Sequence, residues 1–159
     1  MPEGPSIVIL KERVAPFTGR TIVRVSGNSR IDQARLLGER VEAFRSWGKQ
    51  FLVCCTQVTL RVHFLLFGSW LVDERKDATP RLSLGFEDGE INLYACSVRY
   101  LEGDLDAVYD WSADVMADTW KPRAARRKLL LRPLPRLSPA TLASVFRLLS
   151  RFALAPSGV

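Results

Sequence analysis

Cysteine is scarce in this 159-residue chain, and the three present, Cys54, Cys55 and Cys96, form no CxxC pair. An odd count without that spacing argues against a disulfide framework and against a zinc site, and it fits a reducing compartment. Adjacent Cys54 and Cys55 sit in an apolar run that reads as a strand, so they point to opposite faces and make a poor metal pair. All three are expected to be plain buried thiols. Also missing is any apolar run near the roughly 20 residues of a membrane span. The start has no basic stretch followed by a continuous apolar one, so no signal peptide is read. Histidine occurs once, as His63.

Acidic residues are absent from one region. From Lys121 to Val159 there are nine basic residues and no acid, so the whole net charge of +6 lies there, and the first 120 residues carry a net −3. A basic segment of this kind is either a nucleic-acid footprint or a solvated helix face. The length suits one domain with an appendage, able to bury roughly 70% of its unfolded surface.

What is present reads as mainly β. Residues 5–15, "PSIVILKERVA", space Ile7, Leu10 and Val14 as a helical stripe. "RTIVRVSGN" alternates as a strand, and "IDQARLLGE" is a short helix closed by Gly38. "RVEAFRSW", "KQFLVCC", "VTLRVHF" and "GSWLVD" read as strands, with a break at Gly48-Lys49. "RLSLGFEDGEINLYAC" is a hairpin about Asp88-Gly89, "VRYLEGD" follows, and "DLDAVYDWSADVMAD" reads as short helical turns. Seven or eight strands predict a two-sheet antiparallel β-sandwich with an N-terminal helix. Basic helices follow: "PRAARRKLLLRP", then "SPATLASVFRLLSRFAL" with an apolar stripe through Leu142, Val145, Phe146, Leu149 and Phe152. The expected domains are 1–120 and a basic helical tail, 121–159.

Three short stretches could carry chemistry. "MPEGP" places a proline behind the initiator Met. With Met1 removed, Pro2 has a secondary amine whose pKa of about 7.7–8.0 leaves part of it neutral and nucleophilic. Such an amine can attack a sugar C1′, and Glu3 beside it can move protons. "SWGKQFLV" puts Lys49 after a glycine at the head of a strand, where a hairpin can project its ammonium toward phosphate or a leaving base. "RVHFLLFGSW" carries His63 and then Leu65, Leu66 and Phe67, which would be exposed if "FLLFG" turns. Exposed apolar residues beside cations suit a wedge that enters a DNA stack. Each stretch has a plainer reading: a common second residue, a turn lysine, a structural histidine, a continuous core strand.

In that order, with "FEDG" and "LYACSVRYLEGDLDAVYDWSADVMAD" after them, these stretches resemble the N-terminal domain of the formamidopyrimidine-DNA glycosylase / endonuclease VIII family, and "MPEGP" leans toward the endonuclease VIII-like branch. The resemblance covers about residues 1–128. It implies base-excision repair: removal of oxidised bases, then strand cleavage at the abasic site by β,δ-elimination. On this resemblance Pro2 is the Schiff-base nucleophile, Glu3 its proton-transfer partner and Lys49 the hairpin lysine. Leu66, flanked by Leu65 and Phe67, falls at the intercalating position. Arg99 falls near the backbone phosphates, Tyr100 at an aromatic wedge, and His63 joins the DNA-contacting set. The implied partner is damaged double-stranded DNA, met by a monomer without a membrane, in a bacterial cytoplasm and on the nucleoid when DNA-bound.

The sequence departs from that family in three places. Ser6 stands where a glutamate usually assists at the sugar. The chain given ends at "LSRFALAPSGV", before the family's helix–two-turn–helix and zinc finger, so no cofactor is expected. After Lys121 the composition narrows to Leu, Arg, Pro, Ala, Ser and a few others, as a shifted reading frame, a replacement tail or a minimal domain would produce. An alternative to the enzyme is therefore a catalytically inactive remnant that binds damaged DNA.

Overall fold

The computed structural model describes residues 4–114 and residue 116. The chain divides into two units, Met1–Trp120 and Lys121–Val159, and every described residue belongs to the first. Pro2, Glu3 and the expected basic helices of 121–159 lie outside the described residues.

Helix α1 spans Gly4–Val14 and buries Ile7, Leu10 and Val14, the stripe its spacing predicts. Pro5 fits the first turn, where its missing N–H has no partner to lose. Six strands follow: β1 Arg24–Ser26, β2 Val41–Trp47, β3 Gln50–Cys55, β4 Thr59–Val72, β5 Leu82–Gly85 and β6 Glu90–Leu101. They form one sheet in the order β1-β5-β6-β4-β3-β2, with every pairing antiparallel. "IDQARLLGE" yields only a 3-10 turn, Gln33–Leu36, whose start is capped by the Asp32 carboxylate on the Ala34 N–H. "DLDAVYDWSADVM" is a chain of Asx turns: Asp104, Asp110 and Asp114 each accept from the N–H two residues on. The first two start α2, Leu105–Val108, and a 3-10 turn at Trp111–Ala113, and Asp114 ends that turn.

The antiparallel β architecture with a leading helix is the one the sequence predicts, and only the joins between adjoining strands differ. "FLLFG" does not end a strand. β4 runs straight through it, and the register jumps from Phe64↔Cys96 to Ser69↔Tyr94. Four residues of β4 thus oppose Ala95 alone, whose φ of 45° marks the matching distortion in β6. The two expected sheets are two halves of one sheet, joined through the long strands β4 and β6. The inner faces of both halves share a core that includes Phe51, Val53, Leu60, Val62, Phe64, Leu82, Leu84, Ile91 and Leu93, capped by α1. Gly68 is required at the bulge: a Cβ there would lie 2.7 Å from the Phe64 Cβ and 2.9 Å from the Leu65 carbonyl oxygen.

The segment from Asp73 to Pro80 straps across the outer face near β5 and β6. Glu90 anchors it, bound by Arg75 and Asn92 and also by Arg24. These donors hold its carboxyl down at about 2, with the Arg75 hydrogen bonds as the largest cause. The folded pKa lies below the unfolded one, so the stabilisation is full above about pH 4.5 and is lost as pH falls toward about 2. Glu90→Gln should therefore cost about 1 kcal/mol at pH 7, a modest figure because both guanidiniums are half in water. Urea titrations of the two proteins should converge toward pH 2; an unchanged gap across that range would show that Glu90 is not ionised in the fold.

No helix among the described residues is long and apolar enough to cross a membrane.

Candidate nucleic-acid interface

Strand alternation sorts the candidate residues by face. Core residues Phe51, Val62 and Phe64 point inward, so Gln50, Leu52, Arg61 and His63 point outward. The register aligns Gln50, His63 and Ser97 in one cross-strand row and Leu52, Arg61 and Arg99 in the next. Two arginines directly opposite each other repel, and an anion across them relieves that repulsion. Arg99 is exposed and Arg61 half-buried. The Arg61 Nε is buried and finds no acceptor among the described residues. Arg61 is a member of the cationic surface that the sequence reading passed over. Its signal was there: in "RVHF" it is two residues from His63, hence on the same face.

Lys49 sits exposed at the tip of the β2–β3 hairpin. Trp47 and Gln50 pair directly, leaving Gly48-Lys49 as a two-residue turn. Gly48 has φ 56°, which a turn with glycine first requires. The tip lies beside Gln50 and therefore beside the His63 row.

The bulge supplies the apolar part. Leu65, Leu66 and Phe67 are 50%, 63% and 84% exposed. Three consecutive large apolar side chains in water mark a contact surface. They follow His63 directly, so wedge, histidine, hairpin lysine and the arginine pair share one region. A cleft of about 390 Å³ opens beside Leu65, with Asn28, Arg81 and Ser97 among its lining.

Tyr100 does not join this region. It follows Arg99 and so points to the opposite face, against the core. Its hydroxyl donates to the Asp32 carbonyl at 2.6 Å, and the Arg35 guanidinium lies 4.4 Å from its ring centroid. Tyr100 fastens the 32–37 segment to the sheet, which corrects its expected place as an aromatic wedge beside Arg99. Pro2 and Glu3 lie outside the described residues. Gly4, the first described residue, begins α1, and its Cβ position is 3.0 Å from the Met116 Cγ.

The cysteines are buried free thiols. Cys55 lies in the main core and Cys54 on the other face. Burial pushes Cys55 and Cys96 up to about 12, so neither supplies a thiolate at neutral pH. Among the described residues no group of three or more His, Cys, Asp or Glu is placed to hold a metal ion.

Solved structures share this architecture. A viral DNA glycosylase aligns with TM-score 0.65 at 15% identity, over 81% of this chain and 57% of its own. MutM in complex with DNA containing carbocyclic 8-oxo-G aligns with TM-score 0.60 at 16% identity, over 70% and 49%. Lactococcus lactis formamidopyrimidine-DNA glycosylase, non-covalently bound to DNA containing an abasic site, aligns with TM-score 0.56 at 14% identity, over 63% and 45%. This chain thus spans about half the length of the solved structures it matches, and at these identities they establish the fold. No curated protein matches it. The sequence model of the formamidopyrimidine-DNA glycosylase N-terminal domain matches residues 1–100, nearly two thirds of the chain. A helix-capped antiparallel sheet with that match identifies the chain as a member of the formamidopyrimidine-DNA glycosylase N-terminal domain family.

Proposed function

We propose that this chain works in base-excision repair, binding damaged DNA and acting as a glycosylase and abasic-site lyase through Pro2. One observation supports it above the others: the bulge holds Leu65, Leu66 and Phe67 in solvent beside the Lys49, His63, Arg61 and Arg99 surface. Apolar wedge and cations together suit a bent duplex gripped by its phosphates. The cleft beside Leu65 leaves room for a displaced base.

The chemistry follows from the residue types. The Pro2 amine attacks the deoxyribose C1′, and the base leaves as the C1′–N bond breaks and takes up a proton. The amine gives up its own proton, and its lone pair expels the ring oxygen: the C1′–O4′ bond breaks, O4′ takes up a proton and C1′=N⁺ forms. This iminium is an electron sink, so the C2′ proton becomes acidic. Its loss expels the 3′ phosphate and, after a second proton loss, the 5′ phosphate. Glu3 would carry these protons, and Lys49 would hold a phosphate or protonate the leaving base. Abasic DNA enters the same sequence at the amine's attack on the sugar aldehyde.

Borohydride reduces the iminium to a stable amine, so the native chain should be trapped on an abasic-site duplex, with trapping that weakens steeply as salt rises. Ser6 on α1, in place of a carboxylate, favours a second reading in which the chain binds damaged DNA without catalysis. Salt-sensitive binding with no adduct would establish that reading and overturn the first.

A further inference from the structure

A two-residue hairpin tip ordinarily projects from its sheet with little to fix its direction. The Gly48-Lys49 tip is different, because both residues flanking it are tied to one distant segment. The Trp47 Nε1–H donates to the Asp110 carbonyl at 2.9 Å. The Tyr109 hydroxyl donates to the Gln50 Oε1 at 2.6 Å. Tyr109 is 6% exposed and packs between two tryptophans, with ring centroids 5.8 Å from Trp47 and 5.3 Å from Trp111. Burial raises its phenol above the ordinary value, so at neutral pH it remains a donor; Arg61 bears on the same hydroxyl.

The segment is itself anchored to β2. The Trp111 Nε1–H donates to the Asp106 carboxylate at 2.6 Å, and Arg45 reaches both, 5.2 Å from the Trp111 ring and 3.9 Å from Asp106. Asp104 and Asp110 fix its turns. A Tyr in this slot packs as a Phe would. What the hydroxyl adds is the bond it donates to the residue directly after Lys49, with Arg61 as its second neighbour.

We propose that the 104–111 segment braces the Lys49 tip, and that Tyr109 is a positioning residue which sets the Lys49 ammonium through Gln50. This deepens the function proposed above and rests on it for what Lys49 does at the DNA; the brace itself rests on the contacts just described.

The test is Tyr109→Phe, which keeps the ring and removes the hydroxyl. In protein labelled with ¹³C,¹⁵N-lysine, the Lys49 Cε and Nζ resonances, assigned by their loss in Lys49→Met, should shift and lose the spread of an ordered side chain. The other lysines should not move. In single-turnover trapping the maximal rate should fall about tenfold, with the half-saturating DNA concentration unchanged, as a small misplacement of a reacting group produces. In the Lys49→Met background the same change should cost less than about twofold, because the two residues act as one unit. Lys49 resonances unmoved by Tyr109→Phe would overturn the brace. An equal slowing with and without Lys49 would overturn its action through Lys49. If the native chain forms no adduct, the lyase reading fails by itself, and the lysine spectra still decide the brace.

Discussion

A chain that keeps Met1 should give no borohydride adduct with abasic DNA. The reason is electronic. With Met1 attached, the Pro2 nitrogen belongs to a peptide bond, and its lone pair is delocalised into the carbonyl. It cannot add to an aldehyde, and no rearrangement of the fold restores that capacity. Once Met1 is gone the nitrogen is a secondary amine with a pKa of about 7.7–8.0. Trapping should therefore rise through that range as the ammonium loses its proton. The measurement compares the native chain with one bearing a short amino-terminal extension, each checked by mass spectrometry and assayed from pH 6 to 9. Adduct should fall to background in the extended chain, while salt-sensitive DNA binding persists. Equal trapping by both would place the nucleophile elsewhere, with the exposed Lys49 amine the first to examine.

Replacing Leu65, Leu66 and Phe67 together by serine should separate binding of damage from stability of the fold. These residues leave the core on the bulge with half or more of their surface already in water, so serine removes little buried contact. Melting temperature should hold or rise slightly. Binding to an abasic duplex should weaken about 100-fold, the few kcal/mol of a wedge that fills an opened base step. Binding to intact duplex should change little, and the salt dependence should stay the same because Lys49, Arg61 and Arg99 remain. A collapse in melting temperature would show that the triplet packs into the structure after all. An undiminished preference for abasic DNA would remove the wedge from the account.

The sequence was most readable where one physical rule acts alone. The α1 stripe of Ile7, Leu10 and Val14 follows from helical spacing, and the hairpin lysine from Gly48-Lys49 between alternating runs. Cys54 and Cys55 separate to opposite faces as strand alternation requires. It was least readable where two rules compete. "FLLFG" looks either like a turn or like a core strand, and the chain does both: it keeps the hydrogen-bonded path of a strand and expels four residues from it. Local composition cannot reveal that, because the single opposing residue, Ala95, is 30 positions away and looks ordinary. Tyr100 was misplaced for a simpler reason. Its neighbour Arg99 faces the cationic side, and alternation alone sends Tyr100 to the other. The brace at Tyr109 has no local signature, since the bond that makes it spans 59 residues.

The burial of Cys54, Cys55 and Cys96 has a practical consequence. The folded chain offers no accessible sulfhydryl to maleimide, so a fluorophore can be attached at a chosen spot without first stripping out native residues. A cysteine introduced in place of the exposed Thr79, on the cleft beside Leu65, would be the one site to react. A dye there would report, by quenching on nucleobases, the moment the protein seats itself on a lesion.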